Sequence, residues 1–176
     1  RQDSSRTGVP LSDGFPTPRR STTAESTSVA IPFQTMFSAT TLEASLSFGT
    51  DRPTYSDPDD PFGFTSSSTR ADRAAGRLVA SRVAGAHRVS VGADYERTEV
   101  RNEDAYGVEL DDLSTRTWAV FLEDRITLLS GQLAVTLGLR RDEHSAFGGS
   151  TNPRFAVSFQ LTSEVRLRAA AGTAFR

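Results

Sequence analysis

Along most of this chain apolar and polar side chains alternate one by one, the period of a β-strand with one apolar face. The clearest case is the stretch from Trp118 to Arg141. In its second half Leu133, Val135, Leu137 and Leu139 fall on one face, and Ala134, Thr136, Gly138 and Arg140 on the other. Ser-Gly between two alternating runs signals a hairpin, which places a tight turn at Leu129-Ser130-Gly131-Gln132.

The rest of the chain repeats this pattern. Residues 1–22, rich in Ser, Thr, Pro and Arg, show no period and read as a loop or the frayed end of a preceding strand. A first strand is predicted from about Thr23 to Ile31, closed by Pro32, and a second from about Thr40 to Gly49, with Leu42, Ala44, Leu46 and Phe48 on one face. The polar run Asp51 to Ser68, with three prolines, reads as a loop that cannot hold a ladder. A third strand, about Arg70 to Ala84, has only Ala74, Leu78 and Ala80 on its apolar side, and a Gly85-Ala86 turn leads to a fourth, His87 to about Glu99. After a charged stretch read as a second long loop, Val100 to Leu113, the Trp118–Arg141 hairpin supplies strands five and six. A third loop, His144 to Thr151, precedes strand seven, in which Phe155, Val157, Phe159 and Leu161 alternate with polar or small residues. A turn at Thr162-Ser163-Glu164 gives strand eight, with Val165, Leu167, Ala169 and Ala171 on its apolar side.

The prediction is an all-β chain of about eight antiparallel up-and-down strands. Most are at least as long as the roughly 9–11 residues that a tilted strand needs to cross a bilayer. Their connections read short, long, short, long throughout. Transmembrane β-barrels show this alternation, with tight turns at the periplasmic end and longer loops outside, whereas Greek-key sandwiches do not. A partial transmembrane β-barrel is therefore expected.

On a lipid-facing surface Arg or Lys at mid-bilayer costs about 2–4 kcal/mol, and Asp or Glu less. Strand five must then choose between two registers. With Trp118, Val120, Leu122, Ile126 and Leu128 outward, one acid, Asp124, meets lipid; the reverse register exposes Glu123 and Arg125. The first costs less. It sets Trp118 and Tyr95 near the outer ends of their strands and Phe33 and Phe37 near a periplasmic turn, the placement of aromatic belts.

Composition narrows the function. The 20 basic residues, all Arg, are scattered among 22 acids for a net charge of -2, which leaves no nucleic-acid footprint. The chain has no Cys, so disulfides, thiol catalysis and Cys-based metal sites are excluded. No apolar run is long enough for a transmembrane helix, which says nothing against a barrel. A chain that begins on Arg1 and ends on Ala174-Phe175-Arg176 is expected to be a piece of a longer one.

The runs WAVFLEDRI, LAVTLGLRRDEHSAFGG, NPRFAVSF and LRAAAGTAFR resemble the middle of the barrel of TonB-dependent outer-membrane receptors. The similarity is close over about Ser114 to Arg176 and looser over RPTYSDPDDPFGF, Arg52 to Phe64. The resemblance implies a larger outer-membrane barrel of a Gram-negative-type cell, closed by an N-terminal plug and driven by TonB, that takes up a scarce small-molecule ligand such as a siderophore-iron chelate or cobalamin. The expected partners are outer-membrane lipid, that ligand, and the plug and TonB through parts of the full-length receptor outside residues 1–176; no enzymatic activity and no nucleic acid are implied. Two other readings are a complete small eight-stranded barrel with a structural or adhesive role and a soluble all-β binding module.

Three groups of residues are candidates for chemistry. Asp57, Asp59 and Asp60 in the first long loop are oxygen donors of the kind Ca²⁺ takes, and outer-loop calcium in cobalamin receptors of the resembling family points the same way. Their spacing matches no EF-hand, so a solvated acidic loop is the preferred reading and no resident cofactor is assigned. Asp142, His144 and Ser145 have the residue types of a hydrolase, but adjacent His and Ser on a strand end point to opposite faces. Arg140, Arg154, Arg166 and Arg168 are expected to line the polar interior, pairing with acids or meeting the plug or an anionic ligand, with Gly92, Gly138 and Gly172 on the same face relieving crowding.

Overall fold

The computed structural model describes residues 2–8 and 18–174. Nine strands follow one another: β1 (Gln2–Gly8), β2 (Ser21–Phe37), β3 (Thr40–Ser56), β4 (Ser66–Ala84), β5 (His87–Asp104), β6 (Gly107–Leu128), β7 (Leu133–His144), β8 (Gly148–Gln160) and β9 (Arg166–Gly172). Each lies beside its sequence neighbour in one sheet, in the order β1 to β9, the up-and-down arrangement that the alternation predicts. The added strand, β1, pairs antiparallel with β2 from Gln2↔Thr27 to Gly8↔Ser21, so the non-periodic N-terminal stretch does contain a strand.

Residues group into two compact units, and β2 to β6 contribute to both. One comprises Arg1–Ala30, Ser47–Ala75 and Arg97–Thr115; the other comprises Ile31–Leu46, Gly76–Glu96 and Arg116–Arg176.

Tight turns fall where expected at Gly85-Ala86, Leu129–Gly131 and after Gln160, and a further one at Ser38-Ala39 replaces the longer connection expected after Pro32. At the β6–β7 turn Leu129 and Ser130 both adopt left-handed backbone, with φ of 52° and 53°, and the Gln132 N–H donates to the Leu129 carbonyl at 3.1 Å. That hydrogen bond encloses Ser130 and Gly131, both of positive φ (53° and 94°), and a mirror-type turn of this hand matches the twist of the strands that the connection Leu129–Gln132 joins.

The long connections are shorter than predicted. Pro32 does not close β2, which continues to Phe37, and Pro53 sits inside β3, which runs on to Ser56. A proline removes one ladder donor, and a strand tolerates that where no partner needs the donor. Only residues 57–65 remain as a true loop between β3 and β4. The expected loop from Val100 to Leu113 is instead the paired ends of β5 and β6, joined by Ala105-Tyr106. Asp104 makes that turn, its Oδ1 accepting from the N–H groups of Tyr106 and Gly107 at 2.7 and 3.2 Å. Charged residues break no ladder when their strand has water on both faces, and for that reason polarity alone misread this segment.

In the second unit the register fixes two faces. Paired residues share a face, so β6, β7 and β8 form the apolar rows Leu128–Leu133–Phe159, Ile126–Val135–Val157 and Leu122–Leu139–Pro153. Strand β9 extends two of them, with Leu167 beside Phe159 and Ala169 beside Val157. Trp118, Val120, Leu122, Leu137, Leu139, Phe155 and Leu167 on this face are all exposed. The opposite face carries the rows Glu123–Gly138–Arg154 and Phe121–Arg140–Asn152. Ala119 is buried there at 1% exposure, so the register with Trp118 on the apolar face is the one adopted.

Candidate functional site

The polar face of the second unit holds a charged cluster built on one ring. Phe121 of β6 lies against Gly92 of β5, where a Cβ would collide with the ring and stand 2.8 Å from the Leu78 carbonyl oxygen. Glycine is the residue that lets a neighbouring side chain approach the backbone so closely. Over that ring stand two guanidiniums, those of Arg77 and Arg140, 5.3 and 5.9 Å from its centre. Cations over an aromatic face are attracted by its quadrupole.

Both arginines reach Asp94. Arg140 donates to Asp94 Oδ2 at 2.6 Å and, through Nε, to Asp142 Oδ1 at 2.8 Å. Arg77 stands 3.3 Å from Asp94 Oδ1, an ion pair without hydrogen-bond alignment, and that buried oxygen has no hydrogen bond among the described residues. The amide of Asn152 donates to Asp142 Oδ2 at 3.2 Å, and the Ser150 and Thr173 hydroxyls each donate to Asn152 Oδ1 at 3.3 Å. One row away Arg154 donates to Glu123 across β7, above Gly138, whose missing Cβ would meet both side chains within 3.8 Å. Arg77, Phe121, Glu123, Arg140, Asp142 and Arg154 line a cleft of about 710 Å³. Its walls combine fixed positive charge with an aromatic face, a combination suited to a polar or anionic surface presented to it.

Of the four arginines that the sequence singles out, Arg140 and Arg154 belong to this cluster. Arg166 instead donates to Gln160 Oε1 at 2.5 Å on the β8–β9 pair, and Arg168 lines a smaller cleft on those strands. Arg77, Asp94 and Phe121 were not singled out. Their alternation on the polar face and the glycine at position 92 were the available signals.

The hydrolase types do not converge. Asp142 is taken by Arg140 and Asn152, His144 Nδ1 accepts from the Ala146 N–H at 3.1 Å, and Ser145 Oγ accepts from the Arg116 N–H at 2.9 Å.

The acidic loop of the first unit has a different use. Asp57 is fully buried, and its Oδ2 accepts from Arg20 Nε at 2.9 Å and from the Tyr55 hydroxyl at 3.3 Å, while Oδ1 accepts from the Asp59 N–H at 3.2 Å. Asp59 accepts from Arg19 through Nε at 2.9 Å, and hydrogen bonding to that guanidinium holds its carboxyl below the ordinary value. Asp60 Oδ1 accepts from the Phe62 and Phe64 N–H groups at 2.7 and 3.2 Å. Burial pushes the Tyr55 phenol above its ordinary value, against the opposing charge of Arg20. Tyr55, Phe64 and Tyr106 stack in series at 5.6 and 6.2 Å between ring centres, and the Tyr106 hydroxyl donates to the Phe62 carbonyl at 2.8 Å. The three acids therefore do not gather as a ligand set: no group of three metal-binding side chains occurs among the described residues. A cation here would have to displace Arg19 and Arg20.

A family model described as TonB dependent receptor-like, beta-barrel, matches residues 2–176. The chain belongs to that family. No curated protein matches by sequence. Among solved structures it is similar to the ferric enterobactin receptor PfeA of Pseudomonas aeruginosa, in the G324V mutant, at 20% identity and a TM-score of 0.66, over 86% of this chain and 25% of that one. It is similar to BauA, the ferric preacinetobactin receptor of Acinetobacter baumannii, at 13% identity and a TM-score of 0.68, over 86% of this chain and 30% of that one. The siderophore receptor PirA of Pseudomonas aeruginosa gives 21% identity and a TM-score of 0.62, over 86% and 28%. At such identities the likeness is one of fold, and the chain spans 25 to 30% of these receptors.

TonB-dependent receptors of this family are outer-membrane barrels of Gram-negative bacteria. Family and fold together make the apolar rows the lipid-facing surface and the Phe121 cluster part of the interior wall. The soluble-module reading is thereby set aside.

Proposed function

We propose that residues 1–176 form part of the wall of an outer-membrane receptor that imports a ferric siderophore with energy supplied through TonB. The single observation that carries this reading is the Arg77–Asp94–Arg140–Asp142 cluster over Phe121, set in a cleft on the polar side of the strands. A rigid interior wall with exposed guanidinium donors suits both contact with a plug and passage of an anionic chelate. The names of the similar structures support a siderophore, and those quoted include no cobalamin receptor. On this reading the plug domain and the TonB-contacting segment belong to other parts of the full-length receptor, and the partners of this stretch are membrane lipid, the plug and the chelate.

The test is uptake of radioactive iron by cells that carry the full-length receptor as their only outer-membrane iron importer, offered one ferric siderophore at a time. Accumulation that requires both the receptor and an energised TonB supports the proposal. Uptake of cobalamin with no response to any ferric siderophore would overturn it.

A further inference from the structure

We infer that the lipid-facing surface of the first unit carries a binding site for an anionic lipid with a phosphate in its headgroup. Val29 and Phe48 are exposed apolar side chains on β2 and β3, and with Ala74 they form the apolar part of a cleft of about 320 Å³. The polar part is Thr27, Thr50, Asp72, Arg73, Arg97 and Glu99. The cleft is thus amphipathic. Its apolar part lies on the face that alternation assigns to lipid, since Leu42, Ala44, Leu46, Phe48 and Thr50 share one side of β3. Two residues past Thr50 on the same face stands Arg52, exposed and without a hydrogen bond or salt bridge among the described residues. Four residues span about 13 Å of strand, so the surface passes from Phe48 to Arg52 over roughly the depth of a headgroup layer.

The guanidiniums on this surface are only partly engaged. Thr50 donates to Asp72 Oδ1 at 2.7 Å, and Arg70 donates to Asp72 Oδ2 through Nε at 2.6 Å. Arg97 donates to Glu99 through one terminal nitrogen. The guanidiniums of Arg52, Arg70 and Arg97 thus share this surface with the carboxylates of Asp72 and Glu99, and the terminal nitrogens of Arg70 make no hydrogen bond among the described residues. The Arg70 and Arg97 side chains are half exposed. A planar fork with open donors matches phosphate oxygens, and guanidinium is the cation least costly to bring to a lipid interface. Charge complementarity and unbroken continuity with the acyl-facing surface select a lipid phosphate: the headgroup meets Arg52, Arg70 and Arg97, and one acyl chain follows Val29 and Phe48. This holds whatever the receptor imports.

The experiment uses full-length receptor in neutral detergent, with the thermal midpoint followed during addition of phosphatidylcholine alone, phosphatidylcholine mixed with phosphatidylglycerol, or inorganic phosphate. The expected result is a rise of several degrees with the anionic mixture only. An Arg52→Gln/Arg70→Gln/Arg97→Gln receptor should lose that rise and show the same midpoint in phosphatidylcholine with and without phosphatidylglycerol. Because Arg52 makes no hydrogen bond or salt bridge among the described residues, Arg52→Gln alone breaks no such pair there; it should need about tenfold more anionic lipid for half the effect, a test that stands if the triple variant does not fold. An equal rise in Arg52→Gln and in the unaltered receptor would overturn the inference, as would an equal rise with inorganic phosphate, which would mean a free-phosphate site.

Discussion

His87 Nδ1 lies 2.7 Å from Asp124 Oδ2, joining the first residue of β5 to the acid that β6 presents on its lipid-facing side between Trp118 and Leu128. The acid that the strand-five register leaves exposed to lipid thus has a partner 37 residues away, which period-two reading of single strands does not reveal. Asp124 Oδ1 is buried and has no hydrogen bond among the described residues, so the carboxylate depends on this one imidazole. The two halves of the pair should therefore respond unequally. Asp124→Leu removes the carboxylate and leaves a half-exposed imidazole that water can reach, and should change stability by less than about 1 kcal/mol. His87→Leu strands a carboxylate at the lipid boundary and should cost about 1–3 kcal/mol. Urea unfolding of the full-length receptor in lipid vesicles measures both, and equal costs would show that the pair is an incidental contact.

Packing of Phe121 on Gly92 gives a second test. Gly92→Ala places a Cβ into the ring and near the Leu78 carbonyl, and should destabilise by about 1–3 kcal/mol. Combining it with Phe121→Leu should recover part of the loss, because the ring is the nearer of the two obstacles. A thermal midpoint for the double variant equal to the sum of the single effects would mean that the contact is not shared.

The 57–65 loop should be sensitive to acid and indifferent to calcium. Arg19 holds Asp59 below its ordinary carboxylate value, so this group stabilises the folded loop at neutral pH. That contribution is complete above the unfolded value of about 4 and is lost as pH falls through the lower folded value. Hydrogen exchange of the loop amides should therefore accelerate below about pH 4, beyond the intrinsic pH effect, and Asp59→Asn should remove most of that dependence. Added Ca²⁺ should leave exchange unchanged, because Arg19 and Arg20 already occupy the acids. Protection that rises with Ca²⁺ would restore the metal reading of Asp57, Asp59 and Asp60.

What the sequence made legible follows from where each interaction is encoded. Faces of strands are local, so the outward set Trp118, Val120 and Leu122 and the inward positions of Arg140 and Arg154 could be read from alternation. Strand ends are less local. Asp51–Ser56 and Val100–Asp104 carry Pro and charges that read as loop, although a hairpin beyond the bilayer has water on both faces and accepts them. The D-A-Y-G run at 104–107 was the overlooked turn signal, an Asp able to cap the turn with Gly closing it. Long-range pairs were invisible: nothing near Asp57 in sequence announces Arg20, and nothing near Asp94 announces Arg140. The acidic cluster therefore read as a candidate cation site, when its oxygens in fact tie the entry to β2 to the β3–β4 loop.

The central claim is that β6 crosses a bilayer with Trp118, Val120, Leu122 and Asp124 toward lipid and Ala119, Phe121, Glu123 and Arg125 toward the interior. Residues 1–176 contain no cysteine, so single cysteines can be introduced from position 118 to 125 in the full-length receptor, with any cysteine elsewhere replaced, and spin-labelled in lipid vesicles. Collision with oxygen, which concentrates in lipid, and with a water-soluble nickel chelate reads the environment of each label. The expected result is a strict alternation, with oxygen accessibility high at the even positions and low at the odd ones. Accessibility that fails to alternate, or that peaks at the odd positions, would contradict the account.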